Sequence, residues 1–511
     1  MKRNLCDIFS PSSSSAKPLF ILEMANNHMG DVKHGVKIIK EFHQVTKKFD
    51  FNFAFKFQYR HIDTFIHPDY KNRMDLSYIK RFSETRLSPK EFLTLKREAE
   101  KLGYISICTP FDEKSVDLIE KHDYDIIKIG SCSFTDWPLL ERIIETDKPI
   151  IASTGGTILE DIDRAYSFFK NRKKTFAIMH CVGEYPTKEE NLQLNQITFL
   201  KKRYPDIVIG FSTHEEPDNF LPVQLAIAKG AQVFERHVAI KSEKYKISAY
   251  SSTPEQLENW LKAAKRAITI GGVIETKAKH SQKEIADIRQ FQRGVFAKKA
   301  LKKGEIIDRK DVFFAFPNQP NQLVANDVSK YKYYTAQKNI KVNEALIHVK
   351  ANDTRKKIYD IVKQVDKFFN KSGVIFPNKV ELEISHHYGI DKFYKYGICM
   401  ITCVNRGYCK KLILMLPKQF HPTQYHQKKE ETFHILYGKF IVTLDGKKII
   451  YQPGDVLTIN PGVRHSFTTV SGGILEEISS THFVNDSFYV DKKIDMNKNR
   501  KTFVSYWRNI A

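Results

Sequence analysis

No stretch of this 511-residue chain is long and apolar enough to cross a bilayer, so a membrane partner is not expected. Lys2 and Arg3 open the chain, but no apolar segment follows them, and the start reads as a lead rather than a signal peptide. Cysteine is scarce: there are seven, an odd number, and the nearest group (Cys399, Cys403 and Cys409) fits no zinc spacing. A reduced, cytoplasmic compartment is the expectation. No basic run accounts for the net charge of +23, because the lysines are scattered, with only pairs such as Lys47-Lys48, Lys173-Lys174 and Lys298-Lys299. A nucleic-acid binder concentrates its charge on one face, so nucleic acid is not expected as a partner. A basic surface still steers anionic small molecules toward a site.

What the chain does have is core material: 41% apolar residues and 36 Phe. That composition excludes a disordered chain, and the length suggests about three domains. After a lead over residues 1–18, expected to be flexible around Ser12 to Ser15 and Pro18, eight short apolar runs follow. They cover 19–24, 51–57, 104–108, 126–129, 150–152, 176–179, 207–209 and 232–234. Helical patterns alternate with them at 33–47, 89–102, 115–121, 139–145, 159–170, 196–203, 219–229 and 254–267. Ser88 before Pro89 is a helix start signal. The beat predicts an α/β fold over 19–275, and the count of eight favours a (β/α)8 TIM-type barrel over an open doubly wound sheet. Residues 290–350 read as a small β-rich module, and 351–379 as a helical linker with Ile358, Ile361, Val362, Val365 and Phe368 at helical spacing. Residues 380–490 read as all-β, with turns at Asp445-Gly446, Pro453-Gly454-Asp455 and Pro461-Gly462. The Lys- and Asn-rich stretch 491–511 is taken as a tail without a function.

Barrel enzymes carry their chemistry at the carboxyl ends of the strands. Here those ends hold Glu23, Asn27 and His28; Lys56 and Gln58; Thr109 to Asp112; Lys128 and Ser131; Ser153 and Thr154; His180 and Tyr185; Ser212 and His214; and Glu235 with His237. Lysines and carboxylates beside apolar runs need partners, and their recurrence in several units points to one shared site. Lys56 and Lys128 are point charges for a phosphate or carboxylate, and Ser131, Ser153 and Thr154 are short donors for its oxygens. His214 and His237 are candidates to share a metal with Glu23 nearby, or are a hydrogen-bonded pair without one. Asn27 and His28 serve a site or cap a turn.

These segments resemble the N-acetylneuraminate (sialic acid) synthase family. The resemblance rests on 21–30 (ILEMANNHMG), Phe55-Lys56-Phe57-Gln58, Thr109-Pro110-Phe111-Asp112, Lys128-Ile129-Gly130-Ser131 and Ser153-Thr154-Gly155. It continues through His180-Cys181, Tyr185-Pro186, Gly210-Phe211-Ser212-Thr213-His214 and Glu235-Arg236-His237. Residues 290–350 resemble the antifreeze-like (SAF) module of that family, which implies a homodimer with this module at the partner barrel. Residues 380–490 resemble a cupin, through Gln424-Tyr425-His426, Glu431, Gly438, Gly454-Asp455 and His465. The resemblance implies condensation of phosphoenolpyruvate with an N-acetylmannosamine-like hexosamine, giving a sialic-acid-type nonulosonate and phosphate. It implies Glu23, His214 and His237 as catalytic residues, and a Mn2+ or Mg2+ ion on His214 and His237. It implies Asn27, Lys56, Gln58, Lys128, Ser131, Ser153, Tyr185 and Ser212 as substrate contacts. In the cupin, His426, Glu431 and His465 are a two-His-one-carboxylate set for a second divalent metal, with His421 as a substitute ligand; a metal-free structural or sugar-binding cupin is the alternative.

The chain departs from the family pattern at Ser133, Thr213, Gly183-Glu184, Lys244-Tyr245-Lys246-Ile247 and Phe316-Pro317-Asn318. These lie mostly on the sugar and proton-transfer side. The alternatives they leave open are a phosphoenolpyruvate-dependent synthase of a different ulosonic acid, or a catalytically weakened sugar-binding homologue.

Overall fold

The computed structural model describes residues 5–11, 17–273, 276–329, 331–377, 380–481 and 486–508; the serines at 12–15 lie outside them. The chain divides between Lys279 and His280 into two compact units. Among the described residues no helix is long and apolar enough to cross a membrane.

In the first unit, strands β1 (Leu19–Glu23), β2 (Asn52–Tyr59), β3 (Ile105–Pro110) and β4 (Ile126–Ile129) are followed by β5 (Ile150–Ser153), β6 (Phe176–Cys181), β7 (Val208–Thr213) and β8 (Val233–His237). They pair in sequence order, all parallel, and β8 pairs with β1 to close the barrel. Side chains alternate between faces of each strand, and both faces here are buried. Ile21, Ala54, Ile107, Ile126, Ile151, Met179, Val208 and Val233 fill the barrel interior. Phe20, Leu22, Phe55 and Phe57 face outward onto helical residues such as Ile38, Phe42, Leu95 and Trp260. Two positions beyond the apolar interior, on the same inward face, stand Glu23, Lys56, Lys128, Ser153 and Glu235. The interior thus changes from apolar to charged toward the carboxyl ends.

The flexibility expected around Ser12 to Ser15 falls outside the described residues, but an earlier part of the lead is ordered. Residues Cys6–Phe9 form a 3-10 turn. Ile8 and Phe9 are buried with the interior cluster. An apolar side chain of this size gains about 1.5–3 kcal/mol by leaving water, so the open lower end of the barrel recruits them. Helix Pro89–Lys101 starts as its sequence signals: Ser88 and Glu91 form a reciprocal capping box behind Pro89. Two helices absent from the predicted beat, Ile62–Phe65 and Ser77–Glu84, stand between β2 and that helix.

The second unit begins with helix Gln282–Gln290, capped by Ser281. A two-stranded sheet (Gly294–Ala297 with Val312–Ala315) and a three-stranded sheet (Ile306–Ile307, Lys332–Ala336, Val349–Asp353) follow, around Val295, Leu301, Leu346 and Tyr334. Helix Arg355–Ser372 lays Ile361, Val362, Val365 and Phe369 into the core of an all-β region. That region has a seven-stranded sheet, ordered Val456–Ile459, Glu431–Tyr437, Gly473–Ser480, Tyr408–Met415, Gly397–Asn405, Leu382–His386, Lys501–Val504. Its five-stranded sheet runs Lys447–Tyr451, Phe440–Leu444, His465–Thr468, Phe420–Tyr425, Phe488–Tyr489. The residues read as a functionless tail are part of this architecture. Strand Lys501–Val504 pairs with Leu382–His386, and Trp507 is buried with its Nε1 donating to the Val380 carbonyl at 3.0 Å. Thr502, Val504 and Trp507 supply too sparse an apolar pattern to show this in sequence.

Candidate functional site

At the carboxyl ends of the barrel strands lies a cavity of about 650 Å3, lined by Glu23, Lys56, Gln58, Lys128, Ser131 and Ser153, and by Tyr185, Ser212, His214, Glu235 and His237. The ladder puts the charges side by side: Glu23 is the register partner of Lys56 on β2 and of His237 on β8. The Lys56 ammonium meets the Glu23 carboxylate and lies 3.0 Å from Glu235. Lys128 is 3.7 Å from Glu235 and donates to Ser153 Oγ at 2.6 Å. Ser212 Oγ donates to Glu235 at 3.2 Å, and Gln58 Nε2 donates to Glu23 at 3.4 Å. All four charged groups are buried, and two lysines against two carboxylates leave the cluster neutral.

The two lysines are not equivalent. Burial pushes Lys56 down, but Glu23 and Glu235 outweigh it and hold the ammonium above its usual range. Lys128 has one carboxylate, at longer range, and burial keeps it below the usual value. Its positive charge is the less neutralised, so it offers the stronger attraction for an incoming anion. Burial would raise Glu235, yet Lys128 and Lys56 hold it well below the carboxylate range. Ser131 Oγ accepts from the Gly155 amide at 3.0 Å, and a Cβ on Gly155 would sit 2.8 Å from that oxygen. A side chain at position 155 would therefore push the Ser131 hydroxyl out of this place.

The His214 and His237 ring centroids are 5.4 Å apart. Burial, then His237, lowers His214 to about 4; burial, then Lys56, lowers His237 to about 3. Both imidazoles are neutral near pH 7. His214 Nδ1 lies 3.0 Å from the Val182 carbonyl. A carbonyl only accepts, so Nδ1 carries the proton and Nε2 keeps its lone pair. Two neutral imidazoles lining one cavity suit a divalent ion with open coordination positions. Glu23 does not complete a three-residue ligand group with them: its carboxylate is engaged by Lys56 and Gln58, and no such group is present in the barrel among the described residues.

Asn27, expected among the substrate contacts, is not at the cavity. Its buried amide donates to the Val238 carbonyl at 2.9 Å and to Ser251 Oγ at 3.2 Å, which ties the turn after β1 to the segment after β8. Its neighbour Asn26 lines the cavity instead. His28 accepts from the Gly30 amide at 3.1 Å, a turn-capping role. Tyr185 is half exposed, with its ring 4.3 Å from that of His214.

Sequence reasoning counted Glu235 in the shared site without giving it a task, and passed over Arg60, Arg81 and Tyr250. Glu235 was legible, since it stands two positions before His237 and shares its inward face. Arg60 stands likewise two positions after Gln58; its guanidinium lies 3.5 Å from the Phe111 ring centroid and 4.3 Å from that of Phe82. It donates to Gln58 at 3.1 Å and has no carboxylate at ion-pair distance among the described residues. Arg81 and Phe82 come from the helix Ser77–Glu84 that the rhythm missed. Tyr250, on the loop after β8, is edge-on to His237 at 5.0 Å.

The second unit brings His426, Glu431 and His465 together. One ligand atom from each lies within 4.8 Å of the others, and all three side chains are buried. His426 Nε2 is 3.2 Å, and His465 Nε2 3.3 Å, from the Glu431 carboxylate. The donor set suits a divalent ion, with one complication: the Lys429 ammonium also meets Glu431. His421, the substitute ligand considered from sequence, is not in this group and stacks on Phe467 at 4.5 Å. Gln424 Nε2 is 3.3 Å from His465 Nε2.

The model of the NeuB family matches residues 49–275, and that of the cupin domain matches 411–479. A Chromobacterium violaceum protein assigned to spore coat polysaccharide biosynthesis has a crystal structure that aligns at TM-score 0.62 and 50% identity. That alignment covers 65% of this chain and 100% of that one. An uncharacterized protein of Methanocaldococcus jannaschii is 32% identical over 306 residues, 59% of this chain and 86% of its own length. The N,N'-diacetyllegionaminic acid synthase of Campylobacter jejuni is 28% identical over 351 residues, 65% of this chain and 99% of its own length.

Proposed function

The chain belongs to the NeuB family, and from that premise we propose that its barrel condenses phosphoenolpyruvate with an N-acetylmannosamine-like hexosamine, releasing phosphate and a sialic-acid-type nonulosonate. The observation that carries this reading is the neutral Lys56–Glu23–Glu235–Lys128 cluster, flanked by serine hydroxyls and opening on two neutral imidazoles. In the reaction, carbon three of phosphoenolpyruvate attacks the aldehyde carbon of the open-chain sugar, and a C–C bond forms. Water adds at carbon two, and phosphate leaves with the oxygen of the broken C–O bond.

Lys128 and the hydroxyls of Ser131, Ser153 and Ser212 hold the phosphoenolpyruvate anion, as fixed donors that need no reorganisation during the reaction. Lys56 orients the two carboxylates beside it. Glu23 stands between Lys56 and His237 in the ladder and is the group to position the attacking water. Gln58 and Tyr185 face the acceptor. A divalent ion, Mn2+ or Mg2+, would be held by His214 and His237 and would supply Lewis-acid charge for the aldehyde oxygen. The chain works as a homodimer in this reading, with the β module that follows the barrel serving the partner's site; light scattering of the purified chain tests that part.

The test is phosphate release from phosphoenolpyruvate with a panel of N-acylated hexosamines, followed by product mass. Release with N-acetylmannosamine that is abolished by chelator and restored by Mn2+ or Mg2+ is the expected outcome. Release only with a differently modified hexosamine would favour the second reading, a synthase of another nonulosonate. Lys244 to Ile247 and Phe316 to Asn318, which break the family pattern on the sugar side, are the observation behind it. Sugar binding with no release from any acceptor would overturn both.

A further inference from the structure

The all-β region encloses a cavity of about 670 Å3, and His426, Glu431 and His465 occupy only part of its wall. His421, 2% exposed, stacks face to face on Phe467, and its Nδ1 has no hydrogen-bond partner. His387 stands edge-on to it at 4.9 Å. His387 Nδ1 is bonded to the Tyr396 carbonyl, so its Nε2 accepts the Tyr489 hydroxyl hydrogen at 3.0 Å. The Tyr489 oxygen keeps its lone pairs for another donor.

Charge in this wall is unbalanced. Lys501 is neutralised by Glu383 at 2.8 Å, Lys411 by Glu477 at 3.7 Å, and Lys429 by Glu431 and Glu477. Lys498 and Arg500 also line the cavity, and neither has a carboxylate at ion-pair distance among the described residues. Arg500 is held by the Ile494 carbonyl at 3.4 Å, with its guanidinium 5.5 Å from the Tyr489 ring centroid. Both cations come from the segment that sequence reading left without a task. A guanidinium fork without a counter-ion, at the wall of a cavity, matches a carboxylate geometrically.

We propose that this part of the cavity is a second ligand site, for a polyhydroxylated carboxylic acid. Arg500 and Lys498 take its carboxylate; His421 and the Tyr489–His387 pair take its hydroxyls; Phe433 and Phe467 cover its C–H face. The site needs no metal on His426, Glu431 and His465. The choice of acid rests on the proposed function: a 3-deoxy-2-ulosonate, the product of the chain's own barrel, belongs to this class. A volume of this order is in the range of about 300–1,000 Å3 typical of small-molecule sites.

The test is calorimetric titration of the full chain with N-acetylneuraminate, its methyl ester and neutral N-acetylmannosamine. The barrel site is disabled by Lys128→Gln or, should that chain not fold, by Ser153→Ala. The expected result is one acid bound per chain, weakened at least tenfold by Arg500→Gln, by Lys498→Gln and by the methyl ester, with no heat from the neutral sugar. Arg500→Gln in the unmodified barrel leaves phosphate release unchanged. No heat in the barrel-disabled chain, or equal affinity in the Arg500→Gln chain, overturns the proposal. Failure of the barrel reading shows separately, as absent phosphate release, because the titration follows binding and not turnover.

Discussion

Replacing Glu235 by glutamine tests the charge balance at the heart of the barrel, because it removes one charge without changing shape. Glu235 lies 3.0 Å from the Lys56 ammonium and 3.7 Å from that of Lys128. At an effective dielectric constant of about 20, such contacts are worth about 5.5 and about 4.5 kcal/mol of Coulomb attraction. The several kcal/mol needed to strip water from a carboxylate offset part of this. Lys56 keeps Glu23 as a partner, so the charge left uncompensated is that of Lys128. Leaving one buried ion unpaired costs about 3–5 kcal/mol. In a unit of this size that lowers the melting temperature by about 6–20 °C, at about 2–4 °C per kcal/mol. Differential scanning calorimetry of the full chain, read on the barrel transition, measures the loss. The double variant Glu235→Gln/Lys128→Met is neutral again and should recover at least half of it. A Glu235→Gln chain that melts within 2 °C of its parent, or a double variant less stable than the single, would refute the account. The pH sign follows the same balance: Glu235 is held below its unfolded value, so its stabilisation is complete above about pH 4.3 and is lost as pH falls further.

Arg60→Met should lower kcat/KM for condensation at least tenfold with little change in melting temperature, since Arg60 has no carboxylate partner to abandon; unchanged kinetics would remove it from the site. Burial lowers His28 to about 4, so its unfolded form takes up a proton between about pH 6.5 and pH 4 and the fold loses about 3 kcal/mol over that window. Urea midpoints at pH 7 and pH 4 should show a loss in His28→Gln that is smaller than the parent's by about that amount, the remainder coming from groups such as His214 and His237; equal losses in both would contradict it. Trp507→Ala should cost about 3–5 kcal/mol through the cavity it leaves among Phe369, Phe376 and Val380. Chemical denaturation with a midpoint equal to the parent's would return residues 501–507 to the status of a tail.

The barrel was legible because both faces of its strands are apolar, and eight such runs leave few alternatives. The ends of the strands were less so. β6, β7 and β8 run on to Cys181, Thr213 and His237, whereas the apolar runs stop at 179, 209 and 234. The residues that line the cavity at these ends are polar, so they erase the strand signal where the cavity begins. Lys56, Lys128, Ser153, Ser212, His214 and His237 could be named from sequence as one group, and they line one cavity. Asn27 could not be told from Asn26, because strand alternation stops at Glu23 and a turn decides which amide faces inward. Arg81 and Phe82 were hidden in 62–84, where Phe65, Tyr70, Met74 and Tyr78 stay exposed and form no stripe.

Glu23 and His237 face each other across the seam where the first strand meets the last. Glu23 and Lys56 are neighbours on the first two strands, but Glu235 and His237 reach them only when the two ends of the unit find one another. A nascent chain therefore carries Lys56 and Lys128 long before Glu235 has been synthesised to balance them. Closure supplies that balance, because the last strand alone brings Glu235 and His237 to the cavity.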